Sequence, residues 1–194
     1  MVMQDKPGEV AGRLSGLEAL LKSHAEQGLP PIEKWSPPYC GDIGLSISSD
    51  GQWSYRGSPI GRQRLVKLFS RVLWREPDGR HYLITPAEKV DVAVSDAAFL
   101  AVEMEVVGSG KDRRLIFRTN VDDVVEVNAD NPLRFAEESE TGGLKPYVLV
   151  RGRLEALVVR SLTYDLLEFA EVSDDGRTGI FAGGVFFEIE SGVA

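Results

Sequence analysis

Alternating apolar and polar residues define the first clear structural element of the chain. Over 43–48 the sequence IGLSIS alternates with a period of two, which predicts a half-buried strand. Asp50-Gly51 supplies the residue types of a tight hairpin turn, and Trp53 and Tyr55 continue the alternation beyond it. We therefore predict a β-hairpin at this point.

A helical period follows this hairpin, after a link at 58–61. Apolar residues then recur at intervals of three and four, which predicts an amphipathic helix over 61–73. The residues of this apolar stripe are Leu65, Leu68, Phe69, Val72 and Leu73.

Most later apolar runs are short and separated by Asn, Asp, Gly or Pro, which is typical of strands. The strands predicted in this way are 81–84, 90–94, 100–106, 115–117, 124–127, 133–135 and 147–150. The period changes again at residue 154, and 154–170 is predicted to be the longest helix. The tail, 172–194, is expected to add one turn and one or two strands, as an edge addition to either sheet.

Two segments, 53–73 and 147–170, share an order: an aromatic strand, a glycine and an arginine-led helix. We therefore predict an α+β protein of two consecutive, related strands-then-helix subdomains. The second is expected to be a small antiparallel β-barrel or sandwich capped by a C-terminal helix, similar in element order to a pleckstrin-homology-like domain. The predicted divisions are an N-terminal tail with a short helix (1–29), an N-terminal α+β subdomain (30–85), a C-terminal subdomain (86–171) and a C-terminal β extension (172–194). The short helix follows a capping box, Ser15 with Glu18, and ends at Gly28.

Composition narrows the classes of partner. The net charge is −8 and the pI is about 4.9, so long-range electrostatics oppose binding to nucleic acid or to an anionic membrane. The single cysteine, Cys40, rules out an internal disulfide and fits a reducing compartment. The first ten residues carry charges where a signal peptide needs an apolar run, and no long uncharged apolar stretch occurs. A cytoplasmic location is expected.

Arg62 is the first candidate for ligand binding. On a helical wheel it lies on the stripe side, in the first turn, where a positive charge opposes the helix dipole. It could bind an anion with the free N–H groups of that turn, or form a structural ion pair. By contrast, the basic row Arg64, Lys67, Arg71 and Arg75 is better explained as a solvated helix face than as a binding patch.

Two further polar features are candidates. Asp165 falls in the middle of the apolar stripe of the predicted C-terminal helix, so it is expected to point inward and to need a partner such as Arg151, Arg62 or Lys89. The segment 85–89 (TPAEK) lies at the boundary between the first and second halves of the chain. It offers polar side chains of the kinds that ligand clefts use, although a polar linker is the alternative.

The sequence gives little support for a catalytic site or a metal site. The two histidines, His24 and His81, lie far apart in the sequence, and one cysteine with two distant histidines does not make a zinc site. No catalytic residue and no metal ligand is therefore assigned, and no cofactor is identified.

Several short motifs together resemble the bacterial family catalogued as domain of unknown function 1285. They are CGDI (40–43), SPIGR (58–62), YLITPAEKV (82–90), Asp96 with Phe99, FRTN (117–120), NPLR (131–134) and YVLVRGRLEAL (147–157), and the resemblance covers about 30–170. It implies two related subdomains, the second pleckstrin-like, with a polar interface for a small, nucleotide-like ligand in signalling. The matched polar positions are Arg62, Thr85, Glu88, Lys89, Asn120, Arg151 and Glu155.

The leading hypothesis is a non-enzymatic ligand-binding or signalling protein that holds an anionic, nucleotide-like small molecule at the junction of its halves. Charge is expected from Arg62, Lys89 and Arg151, and orientation from Thr85, Glu88 and Asn120, with Asp165 as a further site residue. One alternative is a protein-interaction module that uses its edge strands or the basic row. Another is a hydrolase or transferase that uses Glu88 and Asp165.

Overall fold

The computed structural model describes residues 29–138 and 141–189, which are mostly β-structure with two α-helices. The chain divides into two compact units: 1–46 with 52–93, and 47–51 with 94–194. The predicted N-terminal helix and His24 lie outside the described residues. In the described part, no helix is long and apolar enough to cross a membrane.

The N-terminal unit is built on a six-stranded sheet with strand order β3-β2-β1-β6-β5-β4. A turn of 3₁₀ helix at Ile32–Lys34 precedes it. The elements, in chain order, are β1 (Tyr39–Ile47), β2 (Trp53–Tyr55), β3 (Ser58–Pro59), α1 (Gln63–Ser70), β4 (Leu73–Arg75), β5 (His81–Ile84) and β6 (Lys89–Val94). The predicted hairpin is confirmed: β1 and β2 are neighbours, and Gly51 N–H closes the turn on the Ser48 carbonyl at 2.9 Å, with a φ of +78° at Gly51.

Helix α1 is shorter than the predicted 61–73. Arg62 has extended backbone angles (φ −84°, ψ 97°) and is the N-cap, so the helix begins at Gln63. It ends at Ser70 because Leu73 already belongs to β4, which pairs with β5. The predicted apolar stripe is nevertheless buried throughout, from Leu65 to Leu73. Phe69 has no exposed surface and packs on Trp53, with ring centroids 6.0 Å apart.

The C-terminal unit contains a second six-stranded sheet, curled like half a barrel, with strand order β10-β11-β12-β7-β8-β9. Its strands are β7 (Phe99–Val107), β8 (Arg114–Thr119), β9 (Val124–Glu126), β10 (Leu133–Glu137), β11 (Leu144–Arg151) and β12 (Leu154–Val158). A turn of 3₁₀ helix at Gly110–Asp112 joins β7 to β8. The pairing is antiparallel except between β12 and β7, which run parallel, so the sheet departs from the antiparallel arrangement predicted.

The predicted helix over 154–170 is wrong in its first part. Leu154–Val158 forms β12, and only Arg160–Leu167 is helical (α2). A two-residue turn with Gly152 at φ +55° folds β12 back onto β11, and alternate residues of β12 are buried. The prediction was wrong here because one helical period was assigned to a strand and a helix that follow each other.

The tail forms a sheet of its own, with strands β13 (Glu171–Val172), β14 (Thr178–Ala182) and β15 (Val185–Glu188). This third sheet, and not an edge addition to another sheet, is what the structure shows. Its inner face is buried through Ile180, Ala182 and Phe187. The repeat is also extended, because β2-β3-α1-β4-β5-β6 and β11-β12-α2-β13-β14-β15 share one order: a hairpin, a helix and a three-stranded antiparallel meander.

Candidate functional site

A cleft of about 410 Å³ lies within the C-terminal unit, beside α2. The end of β12 and the loop between β10 and β11 form its other walls. A volume of this size lies in the range of small-molecule sites. The apolar part of its lining consists of Leu144, Leu157, Val158 and Leu167, which come from two strands and the helix.

An ion pair is fixed on one wall. Asp96 accepts hydrogen bonds from Lys145 Nζ and, at 2.7 Å, from the Tyr147 hydroxyl. The side chains of Asp96 and Lys145 are 16% and 27% exposed. Burial on its own would raise the pKa of Asp96, but the two hydrogen bonds outweigh it and the pKa is lowered. The same pair raises the pKa of Lys145, so both groups stay charged at neutral pH.

Replacing Asp96 by Asn is expected to lower the free energy of unfolding at pH 7 by about 1.5–3 kcal/mol, because Lys145 loses its charged partner. A carboxylate with a lowered folded-state pKa stabilises above its unfolded pKa, and this contribution disappears as the pH falls through the folded-state pKa. The difference in the free energy of unfolding between Asp96→Asn and wild type should therefore shrink below about pH 4.

Urea titrations followed by circular dichroism at several pH values measure this difference. Asp130→Asn, on an exposed loop, is the matched control; a loss as large in the control, or one independent of pH, contradicts the assignment.

Arg160 also lines the cleft and is the first residue of α2. Its Nε donates to the hydroxyl of Tyr164 at 3.1 Å, one helical turn along. This bond is the main cause of the raised pKa of Arg160. Among the residues that the structure describes, no carboxylate forms an ion pair with Arg160, and the first turn of α2 carries no acidic residue. A positive charge here opposes the helix dipole, so a bound anion would relieve an unfavourable interaction.

Among the described residues, four charged side chains line the cleft, two of each sign: Asp96, Glu138, Lys145 and Arg160. Lys145 is paired with Asp96. Glu138 accepts a hydrogen bond from Thr141 and lies near enough to Arg160 to contribute to its raised pKa. Of the cations in this described lining, Arg160 is therefore the one available to a ligand.

Comparison with known proteins identifies the family. A model of the N-terminal domain of unknown function DUF1285 matches residues 30–97, and a model of the DUF1285 C-terminal domain, a protein of unknown function, matches residues 98–189. The chain belongs to the DUF1285 family. The resemblance drawn from the sequence is thus confirmed, although its end at about residue 170 was wrong because the C-terminal DUF1285 domain includes the third sheet.

Two solved DUF1285 structures resemble this chain. A DUF1285 family protein from Silicibacter pomeroyi DSS-3 is 42% identical over 89% of this chain and 95% of its own, with a TM-score of 0.81. A DUF1285 family protein from Shewanella baltica OS155 is 24% identical over 65% of this chain and 91% of its own, with a TM-score of 0.52, and shows the fold alone. No curated protein matches the chain.

The predicted site residues of this DUF1285 protein lie elsewhere than the cleft. In the N-terminal unit, Arg62 is exposed, and its extended backbone explains why the helical wheel wrongly placed it on the stripe side. Thr85 is fully buried, and its hydroxyl accepts from Glu88 N–H at 3.1 Å, so it stabilises the 85–88 turn. Lys89 pairs with Glu76 at 2.9 Å and lies 4.0 Å from the centre of the Tyr82 ring.

The predicted residues of the C-terminal unit are also engaged in the fold. Asn120 accepts from Leu100 N–H at 3.0 Å, at the end of β8. Arg151 pairs with Asp123 and lies 4.9 Å from the centre of the Phe99 ring. Asp165 is exposed on α2, so the prediction that it points inward was wrong.

Glu155, a position implied by the resemblance, forms a two-pronged ion pair with Arg134 at 2.9 and 3.0 Å. In the basic row, Arg64 is exposed, and Lys67, Arg71 and Arg75 are half-buried. Its use as a protein-binding surface stays a prediction. In the parts of the chain that the structure describes, no group of three or more His, Cys, Asp or Glu residues could hold a metal ion.

The sequence reasoning missed Arg160 for one reason. The same argument that singled out Arg62, a basic residue in the first turn of a helix, applies to Arg160 with more force. Because the helix was predicted to begin at residue 154, Arg160 was placed in its interior, where a basic residue carries no such signal.

Proposed function

We propose that this DUF1285 protein is a non-enzymatic ligand-binding protein that holds a small anionic molecule in the cleft beside α2. The observation that carries the proposal is Arg160, a cation in the lining of a mixed polar and apolar cleft whose other described cation, Lys145, is already paired with Asp96. A ligand-binding role in signalling agrees with the chemistry expected from the sequence, but the proposed location lies within the C-terminal unit.

We also propose that the C-terminal unit is similar to a pleckstrin-homology-like domain in the order of its elements. A curled sheet followed by one helix has the expected element order, and α2 lines the cleft. The parallel pairing of β12 with β7 departs from an all-antiparallel barrel, so the comparison extends to the order of elements alone.

A thermal-shift screen with inorganic phosphate, mononucleotides and small carboxylic acids tests the proposal. A ligand at one hundred times its Kd adds about 2.7 kcal/mol to the free energy of unfolding, enough to raise Tm by several degrees. Hydrogen bonds to charged groups contribute about 1.5–3 kcal/mol, so Arg160→Gln should weaken binding of a true ligand about tenfold or more.

Arg64→Gln is the matched control, because Arg64 is an exposed arginine in the first turn of the other helix. Arg64→Gln should leave the affinity for any anion found in the screen unchanged. Anions that stabilise the wild type and both variants equally would place the site elsewhere, and a loss confined to Arg64→Gln would favour the basic row.

A further inference from the structure

We propose that the ligand of the cleft is a monocarboxylic acid with an apolar body, and not a phosphate ester or nucleotide. This inference rests on the proposed function and specifies its ligand class. It follows from two properties of the lining: the number of available charges and the presence of apolar side chains.

The charge arrangement favours a single negative charge. Arg160 is the one cation of the cleft lining without a carboxylate partner among the described residues, because Lys145 is held by Asp96. A doubly charged phosphate would bring a second negative charge near Glu138, and the described lining has no second cation left to offset it, because Lys145 already neutralises Asp96. Like charges in a partly desolvated site repel strongly, so a dianion is selected against.

Arg160 is also arranged for a carboxylate. Its Nε donates to the Tyr164 hydroxyl, which restrains the guanidinium group. Its two Nη groups make no hydrogen bond to a residue that the structure describes. Two adjacent donors in one plane match two oxygens of a carboxylate or of a phosphate, so a single carboxylate can use both, and the preference against phosphate comes from charge.

The remaining lining includes apolar side chains. Leu144, Leu157, Val158 and Leu167 all line the cleft and add apolar surface to it. Burial of apolar surface therefore supplies the rest of the affinity. Each methylene that enters the cleft should tighten binding by up to about fourfold.

Isothermal titration at pH 7.5 with three probes of one chain length, octanoate, octyl phosphate and 1-octanol, tests the inference below their aggregation concentrations. Octanoate should bind at least fivefold more tightly than octyl phosphate and at least tenfold more tightly than octanol. Hexanoate should bind more weakly than octanoate, by up to about fifteenfold. Arg160→Gln should remove the preference for octanoate over octanol.

Glu138→Gln is the sharpest variant, because it keeps the shape of the side chain and removes its charge. It should improve octyl phosphate binding at least threefold relative to octanoate, whereas Glu137→Gln, on the exposed neighbour, should not. If octyl phosphate binds as well as octanoate in an Arg160-dependent manner, the carboxylate assignment is wrong and the proposed function stands. If none of the probes binds, the carboxylate assignment is again wrong; the proposed function then fails too, unless another anion of the screen depends on Arg160.

Discussion

Replacing Gly183 by Ala is expected to destabilise the C-terminal unit by about 3–5 kcal/mol. A Cβ at this position would lie 2.3 Å from the Val127 carbonyl oxygen and 3.1 Å from Asn128 Cα, and backbone atoms cannot move aside as a side chain can. Gly183 also has a φ of +56°, which costs other residues about 1–2 kcal/mol. Its N–H donates to the carbonyl of Arg113, the residue before β8, at 2.9 Å, so displacing Gly183 would also break this link between the third sheet and the start of β8.

Gly184→Ala separates the steric clash of the new Cβ from the cost of a positive φ. Gly184 has a φ of +75°, but a Cβ there meets no atom within 4 Å, so only the backbone cost of about 1 kcal/mol is expected. Circular dichroism in urea gives both free energies, and amide hydrogen exchange should show the opening of β14 and β15 in Gly183→Ala alone. Equal effects of the two substitutions would mean that the third sheet does not pack against the 127–128 segment as the structure shows.

Replacing Phe69 by Ala is expected to destabilise the N-terminal unit by about 3–5 kcal/mol. Phe69 has no exposed surface and packs against Trp53. Helix α1 has eight residues, too few to be stable without tertiary packing, so the cavity would loosen the whole helix. All three tryptophans belong to this unit, so tryptophan emission in urea reports on it alone.

Phe69→Leu is the control, because it keeps most of the buried volume and should cost less than half as much. The far-ultraviolet signal shows whether the C-terminal unit keeps its own transition. A loss below about 1 kcal/mol in Phe69→Ala would contradict the packing of α1 described here.

Much of the fold could be predicted because strand and helix periods are local. The hairpin around Gly51, the burial of the stripe from Leu65 to Leu73 and most later strands follow from alternation and turn residues alone. The repeat was predicted only as a strand, a glycine and a helix, and its second hairpin was missed because 154–158 was predicted to be helical.

The error at 154–158 arose because the local pattern fits both a strand and a helix. Leu154, Ala156 and Val158 alternate with a period of two, but the same apolar residues also fit a helix that continues to 167. The pairing of β12 with β11 and β7 decides between them, and pairing partners are not visible from one segment.

The cleft could not be predicted because it joins residues that are far apart in the sequence. Asp96 and Lys145 are 49 positions apart, and neither has a neighbour in the sequence that marks it as a site. The predicted site residues were instead polar residues at the ends of elements, such as Thr85 and Asn120. These residues hydrogen-bond to backbone groups, which is a common structural use of such positions.

The central claim is that an anion binds at Arg160, and the Nε–H signals of the arginine side chains in a ¹H–¹⁵N spectrum test it most directly. The Arg160 signal is assigned as the one that Arg160→Gln removes, and octanoate is then titrated into the wild-type protein. We expect this signal to shift saturably while the Arg64 signal stays in place. An unmoved Arg160 signal, with other arginine signals shifting in its place, would contradict anion binding at Arg160.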